Sequence, residues 1–454
     1  MLIKNAEVAG RLVDIVCRDH EIVDIGPNME PPQSPSAPII DAAGCAVLPG
    51  LHDHHLHFFA LAALRESVDL KAAGNSAAMV KLLREAKSSE WLRAVHYNET
   101  LHGELQARRL DEVRSDVPVR VQHSSGKMWV LNSRALARLD VATSTHPGVE
   151  RYLDGRPTGR LFRMDGWLRE AMGEQGMRPG IMLGRELASY GITGFTDCSY
   201  TNTQADLFRF HQILQQVYMM GDDGLNAGHL KIMLDEDALP DRDNLIARIE
   251  SARHRGRGVA FHCVTEVELL FALSALSTVG YSPHDRIEHA ALASPAAVEL
   301  MAEAGVSVVT QPGFLADRGE RYRREVHGDL ADLYRYASLL HAGIPTAASS
   351  DGPYGPISPW TVMAAAVTRE TDEGLPLGET ECVSPQEALR GYLAPSQAPG
   401  GSARELRAGG VADFCILDRT WQAALDNLGA VTVLHTVIGG ELVHTRKAMT
   451  QAAP

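Results

Sequence analysis

Short apolar runs alternate with longer stretches of helical periodicity through the middle of this chain, and that alternation restricts its fold more than any other feature. Such alternation builds βαβ units, and βαβ units build a parallel sheet. Eight strand candidates are readable, at residues 47–57, 119–123, 194–197, 229–234, 258–264, 286–290, 306–311 and 345–351. Eight parallel strands close a TIM-like (β/α)8 barrel, whose reactive side chains sit at the C-terminal strand ends. Helical connectors are predicted at Pro295–Ala304, where Ala297, Val298 and Met301 share a face, and at residues 243–253. The stretch from 132 to 191 is long for a connector and predicts inserted elements or a lid.

The two ends of the chain have a different character. Residues 13–16 and 21–25 are β-rich, Gly26-Pro27 breaks the second run, and a Pro- and Ser-rich loop follows at 31–38. Residues 412–418, 432–438 and 441–443 are again β-rich, with a Gly439-Gly440 turn between the last two. The expected class is therefore α/β, a barrel over residues 51–395 with an insertion around 132–191. A small β-sandwich domain would be assembled from residues 1–50 and 396–454.

A chain of 454 residues that is 45% hydrophobic can bury a large core and a smaller one. Its formal net charge of −14, without a dense Lys/Arg cluster, argues against nucleic-acid binding, which depends on clustered cations. The six cysteines have no paired spacing, as in a reduced cytoplasmic enzyme. The first residues are too polar for a signal peptide, and no apolar run is long enough to cross a bilayer. The expected partners are a small-molecule substrate and a second copy of the chain in a homo-oligomer, a dimer, with neither nucleic acid nor membrane.

Chemistry enters at Pro49-Gly50-Leu51-His52-Asp53-His54-His55-Leu56-His57. Strand residues two apart share a face, so His55 and His57 can aim both imidazoles at one ion while Leu56 packs the other way. Imidazole is the commonest neutral nitrogen ligand for zinc and related metals. Further ligand-type residues recur near strand ends: Lys231, His262, His289 and Asp351. Chance would have to place one on each of five strands, and it rarely does so.

Taken with their surroundings, these residues resemble the amidohydrolase superfamily, most closely its YtcJ-like (amidohydrolase 3) branch. The resemblance runs over nearly the whole chain. It is carried by Leu48-Pro49-Gly50 leading into His55-Leu56-His57, by Leu230-Lys231-Ile232, by Arg286-Ile287-Glu288-His289 and by Gln311-Pro312-Gly313-Phe314. Ser350-Asp351-Gly352-Pro353, Ala366-Val367-Thr368-Arg369, Ser384-Pro385-Gln386-Glu387-Ala388-Leu389 and Gly410-Val411-Ala412-Asp413 continue it.

The resemblance implies two divalent metal ions, zinc first, with manganese, iron or cobalt as alternatives. His55, His57 and Asp351 would hold the more buried ion, and His262 and His289 the second. Lys231 would bridge them as a lysine carboxylated by carbon dioxide, a reaction that needs the neutral amine, which burial favours. A metal-bridging hydroxide would attack a carbonyl carbon, with Asp351 as base and then acid. The implied reaction is hydrolysis of an amide, cyclic amide or carbamate C–N bond. Deamination, ester cleavage, and isomerase or decarboxylase chemistry are alternatives within the superfamily, and a non-catalytic scaffold would have gaps in the ligand set. His52 and His54 fall outside the motif.

Departures from the branch pattern bear on specificity. Lys127 stands where relatives commonly have histidine, Arg163 where an acidic residue is common, and Cys263-Val264-Thr265-Glu266 where Ala-Ile-Gly-Asp is frequent. Lys127, His123 and Gln311 are the expected substrate contacts, and His96, Tyr97, Trp129 and Tyr200 are further candidates to line the pocket.

Overall fold

The computed structural model describes residues 1–30, 37–88, 90–172, 180–326 and 330–446, so most of the Pro- and Ser-rich stretch at 31–38 lies outside the described residues. The chain divides into two compact units, Met1–Phe58 with Pro179–Pro454, and Phe59–Arg178.

The first unit contains eight parallel strands, labelled β1 (Leu51–Leu56), β2 (Ile192–Asp197), β3 (Gln216–Met219), β4 (Leu230–Met233), β5 (Val259–Cys263), β6 (Arg286–His289), β7 (Ser307–Thr310) and β8 (Thr346–Ala348). One sheet runs β3-β2-β1 and another β4-β5-β6-β7-β8, with every neighbouring pair parallel. Backbone bonds also link the sheet ends. Lys231 N donates to Gly221 O at 2.9 Å, and Asp351 N to His55 O at 2.8 Å. Strands β1, β2, β6, β7 and β8 are buried at every residue, the pattern of parallel strands covered on both faces.

Seven of the eight expected strands are found here, and one is not. Val119–His123 belongs to the other unit, where it pairs parallel with Leu92–Tyr97 and antiparallel with Met128–Leu131. Val119 and Val121 are buried while Arg120 and Gln122 are not, so its alternation marks one wetter face of a mixed sheet. The missing place is taken by β3. Its Gln216 is exposed and its Val217 and Tyr218 only partly buried, so it lacks the continuous apolar run of a parallel strand.

Local chemistry sets the helices. In Pro295–Ala304 the Ser294 side chain accepts from Ala297 N, proline starts the first turn, and Gly305 closes the end with φ 64°. Thr265 and Glu268 form a capping box at the start of Glu266–Val279. The departure at Cys263-Val264-Thr265-Glu266 thus supplies a helix cap. Strands β4 to β7 and these helices bury Leu230, Phe261, Leu269, Leu276, Ile287 and Met301 in one apolar cluster. Each such side chain contributes about 1.5–3 kcal/mol of burial.

The two chain ends supply two four-stranded sheets. Leu2–Val8, Arg11–Arg18, Glu21–Gly26 and Ile39–Asp41 form one, and Val47–Pro49, Phe414–Leu417, Val433–Ile438 and Glu441–Thr445 the other. Ile3, Ile15 and Ile22 share a cluster with Val47, Phe414, Ile416 and Val437, so neither end has a core without the other. The chain leaves the second of these sheets through Gly50 to enter β1. A Cβ at Gly50 would lie 2.1 Å from Thr193 Oγ1, which only glycine avoids.

In the unit Phe59–Arg178, a six-stranded mixed sheet runs Val149–Arg151, Pro157–Phe162, Met128–Leu131, Val119–His123, Leu92–Tyr97 and Val68–Asp69. This unit starts well before the insertion expected at 132–191, and the helix Ile181–Ser189 from that stretch belongs to the first unit. Among the described residues, no helix is long and apolar enough to cross a membrane.

A buried histidine makes the fold sensitive to acid. His229 pairs through Nδ1 with Tyr218 Oη at 2.9 Å and through Nε2 with His284 O at 2.8 Å. Burial, reinforced by the Arg286 charge, pushes its pKa down to about 3 from 6.5. A depressed histidine contributes stability that is complete above pH 6.5 and lost as pH falls toward 3. Urea unfolding should show wild type losing up to about 1.4 kcal/mol per pH unit more than H229Q between pH 6.5 and 5. Equal losses would show that His229 is not the titrating group.

Candidate metal centre

Strand β1 ends at Leu56, with His55 inside it and His57 just beyond. Asp351 follows β8, and its backbone bond to His55 O draws it to the end of β1. Asp351 Oδ1 lies 3.3 Å from His57 Nε2 and 3.5 Å from His55 Nε2. These three side chains offer ligand atoms within 4.8 Å of one another, as a tetrahedral or octahedral cation site needs. His289, the last residue of β6, has its ring centroid 4.8 Å from that of His55 and 4.5 Å from that of His262 on β5. Lys231 on β4 is buried, and its charge acts on both His55 and His262. The six residues expected as ligands therefore meet at one end of the ladder.

Backbone conformation is unusual at two of them. His289 has φ 73° and Asp351 φ 51°, both left-handed, and Ala290 follows at φ 44°. A β-strand ending in this region turns sharply, and non-glycine residues held there cost about 1–3 kcal/mol each.

Partners behind the ring orient the imidazoles. His55 Nδ1 lies 2.5 Å from Glu288 Oε2, and Glu288 Oε1 lies 2.5 Å from Arg286 Nε. His57 Nδ1 pairs with Ser199 Oγ at 3.0 Å, and His289 Nδ1 with Gln311 Oε1 at 2.7 Å. Gln311, expected at the substrate, is instead buried behind His289, with its amide nitrogen donating to Ser349 Oγ and Val309 O. Arg286 and Glu288 stand in a motif that carries the resemblance, with no role expected of either, and Ser199 was not singled out. Strand alternation offered a signal: Arg286 and Glu288 are two apart and share a face of β6. Cys198 and Glu288 also come within ligand distance of His55, all three buried.

Charge is arranged to match. Burial raises the pKa of Asp351, but the flanking His55, His57 and His289 outweigh it and hold the carboxyl well below the usual range. Burial lowers His289 well below the ordinary histidine value, and burial with the nearby Lys231 brings His262 down to about 3. The imidazoles of His262 and His289 are therefore neutral near pH 7, with a ring lone pair available, while the carboxylate is ionised.

Lys231 Nζ, His289 Nε2 and Asp351 Oδ1 are buried without a hydrogen-bond partner among the described residues. An unsatisfied buried polar group costs about 1–3 kcal/mol, and three in one cluster with neutral imidazoles and an anionic oxygen fit divalent cations.

The other expected contacts fall in the unit Phe59–Arg178. His123 pairs with Glu99 Oε2 at 2.7 Å and Ser125 Oγ at 2.7 Å, and Lys127 is exposed. Lys127 O accepts from Arg163 N at 2.8 Å, which ties two of the departures from the branch pattern together through the backbone. Trp129 is buried with its indole nitrogen donating to Asp165, and Tyr97 is buried with its hydroxyl on Gly103 O. Both are accounted for by packing. His96 pairs with Asp69, and in the first unit Tyr200 is exposed. His52 bonds Thr196 Oγ1 at 3.0 Å, away from the cluster.

A buried lysine without a partner weakens the fold when no cation or modification satisfies it. K231M should raise the Tm of metal-free protein by a few degrees in calorimetry while lowering the metal bound after loading. A lower Tm in metal-free K231M would mean that Lys231 serves the fold.

The sequence model described as the Amidohydrolase family matches residues 38–444. The chain is 26% identical over 492 aligned positions to an N-substituted formamide deformylase from Arthrobacter pascens, covering 91% of each. Its fold is similar to that of an uncharacterized metal-dependent hydrolase from Pyrococcus horikoshii OT3, with TM-score 0.76, 20% identity and coverage of 98% and 99%. It is also similar to N-isopropylammelide isopropylaminohydrolase from Burkholderia multivorans, with TM-score 0.52, 17% identity and coverage of 97% of each. With nine-tenths of its length inside the family match and histidines, lysine and aspartate gathered at one end of a parallel ladder, the chain belongs to the amidohydrolase family.

Proposed function

We propose that the chain is a metal-dependent hydrolase that cleaves the C–N bond of a small amide, N-substituted formamide, cyclic amide or carbamate. The observation that carries this reading is the gathering of His55, His57 and Asp351 within ligand distance, beside buried atoms of Lys231 and His289 that have no partner among the described residues. The formamide deformylase relative supports the bond type. In this reading the eight parallel strands close as a (β/α)8 barrel and the two terminal sheets pack as a β-sandwich.

His55, His57 and Asp351 would hold one divalent cation, and His262 and His289 a second. Carboxylation of Lys231 would add an anionic oxygen ligand to this set. Cations bound there would polarise the scissile carbonyl and acidify water, the two tasks that C–N hydrolysis needs. The chain's own residues do the rest. Asp351 accepts the proton of the attacking water at a carboxylate oxygen and returns it to the leaving nitrogen. Ser199 and Gln311 keep the rings of His57 and His289 turned toward the reacting groups.

Metal analysis of purified protein should find about two equivalents per chain. Metal-free protein resupplied with zinc, manganese or cobalt and bicarbonate should hydrolyse members of a panel of N-formyl amines, N-acyl amino acids, cyclic imides and carbamates. D351N should lose about 10²–10⁴-fold in kcat on any substrate found, the usual contribution of a positioned acid–base group. Protein that binds no divalent cation, or that hydrolyses only esters when loaded, would refute this reading.

A further inference from the structure

We propose that Glu288 is a positioning residue for the candidate metal centre, holding the His55 proton on Nδ1 so that Nε2 presents its lone pair to the cation side. The inference rests on the reading of His55, His57 and Asp351 as cation ligands and adds a residue behind them.

A neutral imidazole carries one N–H and one acceptor nitrogen, and the partner of one nitrogen decides the role of the other. Glu288 Oε2 lies 2.5 Å from His55 Nδ1, and an ionised carboxylate can only accept, so the proton sits on Nδ1. That leaves Nε2, 3.5 Å from Asp351 Oδ1, as the free lone pair. Glu288 is fully buried, where a lone carboxylate would be expelled or protonated. Arg286, equally buried, prevents this: its Nε lies 2.5 Å from Oε1, and its Nη2 lies 3.1 Å from Oε2. The same Nη2 donates to His54 O at 2.9 Å, so the pair is fastened to the backbone of β1 one residue before the imidazole it orients.

The other rings are held differently. His57 leans on the Ser199 hydroxyl and His289 on the Gln311 amide, both neutral. A carboxylate acceptor enriches the imidazole more than a neutral one, and such partners alter metal affinity substantially. Glu288 therefore makes His55 a stronger donor than His57 or His289. A buried Arg–Glu pair that served packing alone would be replaceable by apolar residues without effect on metal binding.

The test compares the full chain with R286M/E288L and R286M/E288Q, since removing Glu288 alone would strand a buried guanidinium. Each is loaded with zinc and titrated with a chelator, with circular dichroism and Tm of the metal-free protein as folding controls. R286M/E288L should weaken the tighter-bound zinc about 10–100-fold. R286M/E288Q should recover part of that loss, because an amide oxygen still accepts from Nδ1. Nitrogen-15 spectra of the metal-free wild type should place the His55 proton on Nδ1, a readout independent of either variant. Zinc held by R286M/E288L as tightly as by wild type, or a proton found on Nε2, would overturn the role of Glu288. If D351N loses zinc while R286M/E288L does not, the metal reading stands and only the Glu288 inference falls. Wild type that takes up no zinc removes both.

Discussion

The bond from Asp351 N to His55 O, at 2.8 Å, ties the last strand of the ladder to the first. It closes a loop of nearly 300 residues, and the entropy of closing a long loop grows only slowly with its length. One backbone contact thereby sets two side chains side by side, an imidazole and a carboxylate that the sequence separates by most of the chain. The left-handed φ at Asp351 turns the carboxylate back over the strand end, and the same conformation at His289 turns its ring toward His55. A candidate cation site drawn from the ends of five strands needs every strand end in place at once.

Such a site works against the fold that carries it. Four imidazoles, a lysine and a carboxylate converge where a structural protein would place valine and isoleucine, and several of their polar atoms lack partners among the described residues. The apolar clusters around β4 to β7 and between the terminal sheets offset this, since each large buried side chain contributes about 1.5–3 kcal/mol. The helices Glu266–Val279 and Pro295–Ala304 beside the strands are capped at their N-termini, while Lys231, His289 and Asp351 hold unsatisfied groups on or beside the strands.

Much of this was legible in the sequence because parallel strands announce themselves. Continuous apolar runs located seven of the strands, and the ligand-type residues stood out against those runs. Strand β3 was missed because Gln216-Val217-Tyr218-Met219 carries polar atoms along a partly exposed edge, where tertiary pairing rather than local pattern makes the strand. Val119–His123 was misplaced for the converse reason. Its alternation identifies a strand but cannot say which sheet it joins, and the mixed sheet of the Phe59–Arg178 unit claims it.

The candidate site shows the same division between what a residue type reveals and what only a neighbour reveals. His55, His57, Lys231, His262, His289 and Asp351 were readable as ligand chemistry from side-chain identity and strand position. Gln311 was read as a substrate contact because it is polar and follows a strand, yet its amide is consumed by His289, Ser349 and Val309. Arg286 and Glu288 stood in plain view beside His289, but two opposite charges on a strand read equally as a motif fragment or a surface pair. Their role depends on what lies across the ladder at His54 and His55, more than 230 residues earlier in the chain. Long-range partners of this kind leave no periodicity, so the orienting layer of a metal centre is harder to read from one sequence than the ligands it orients.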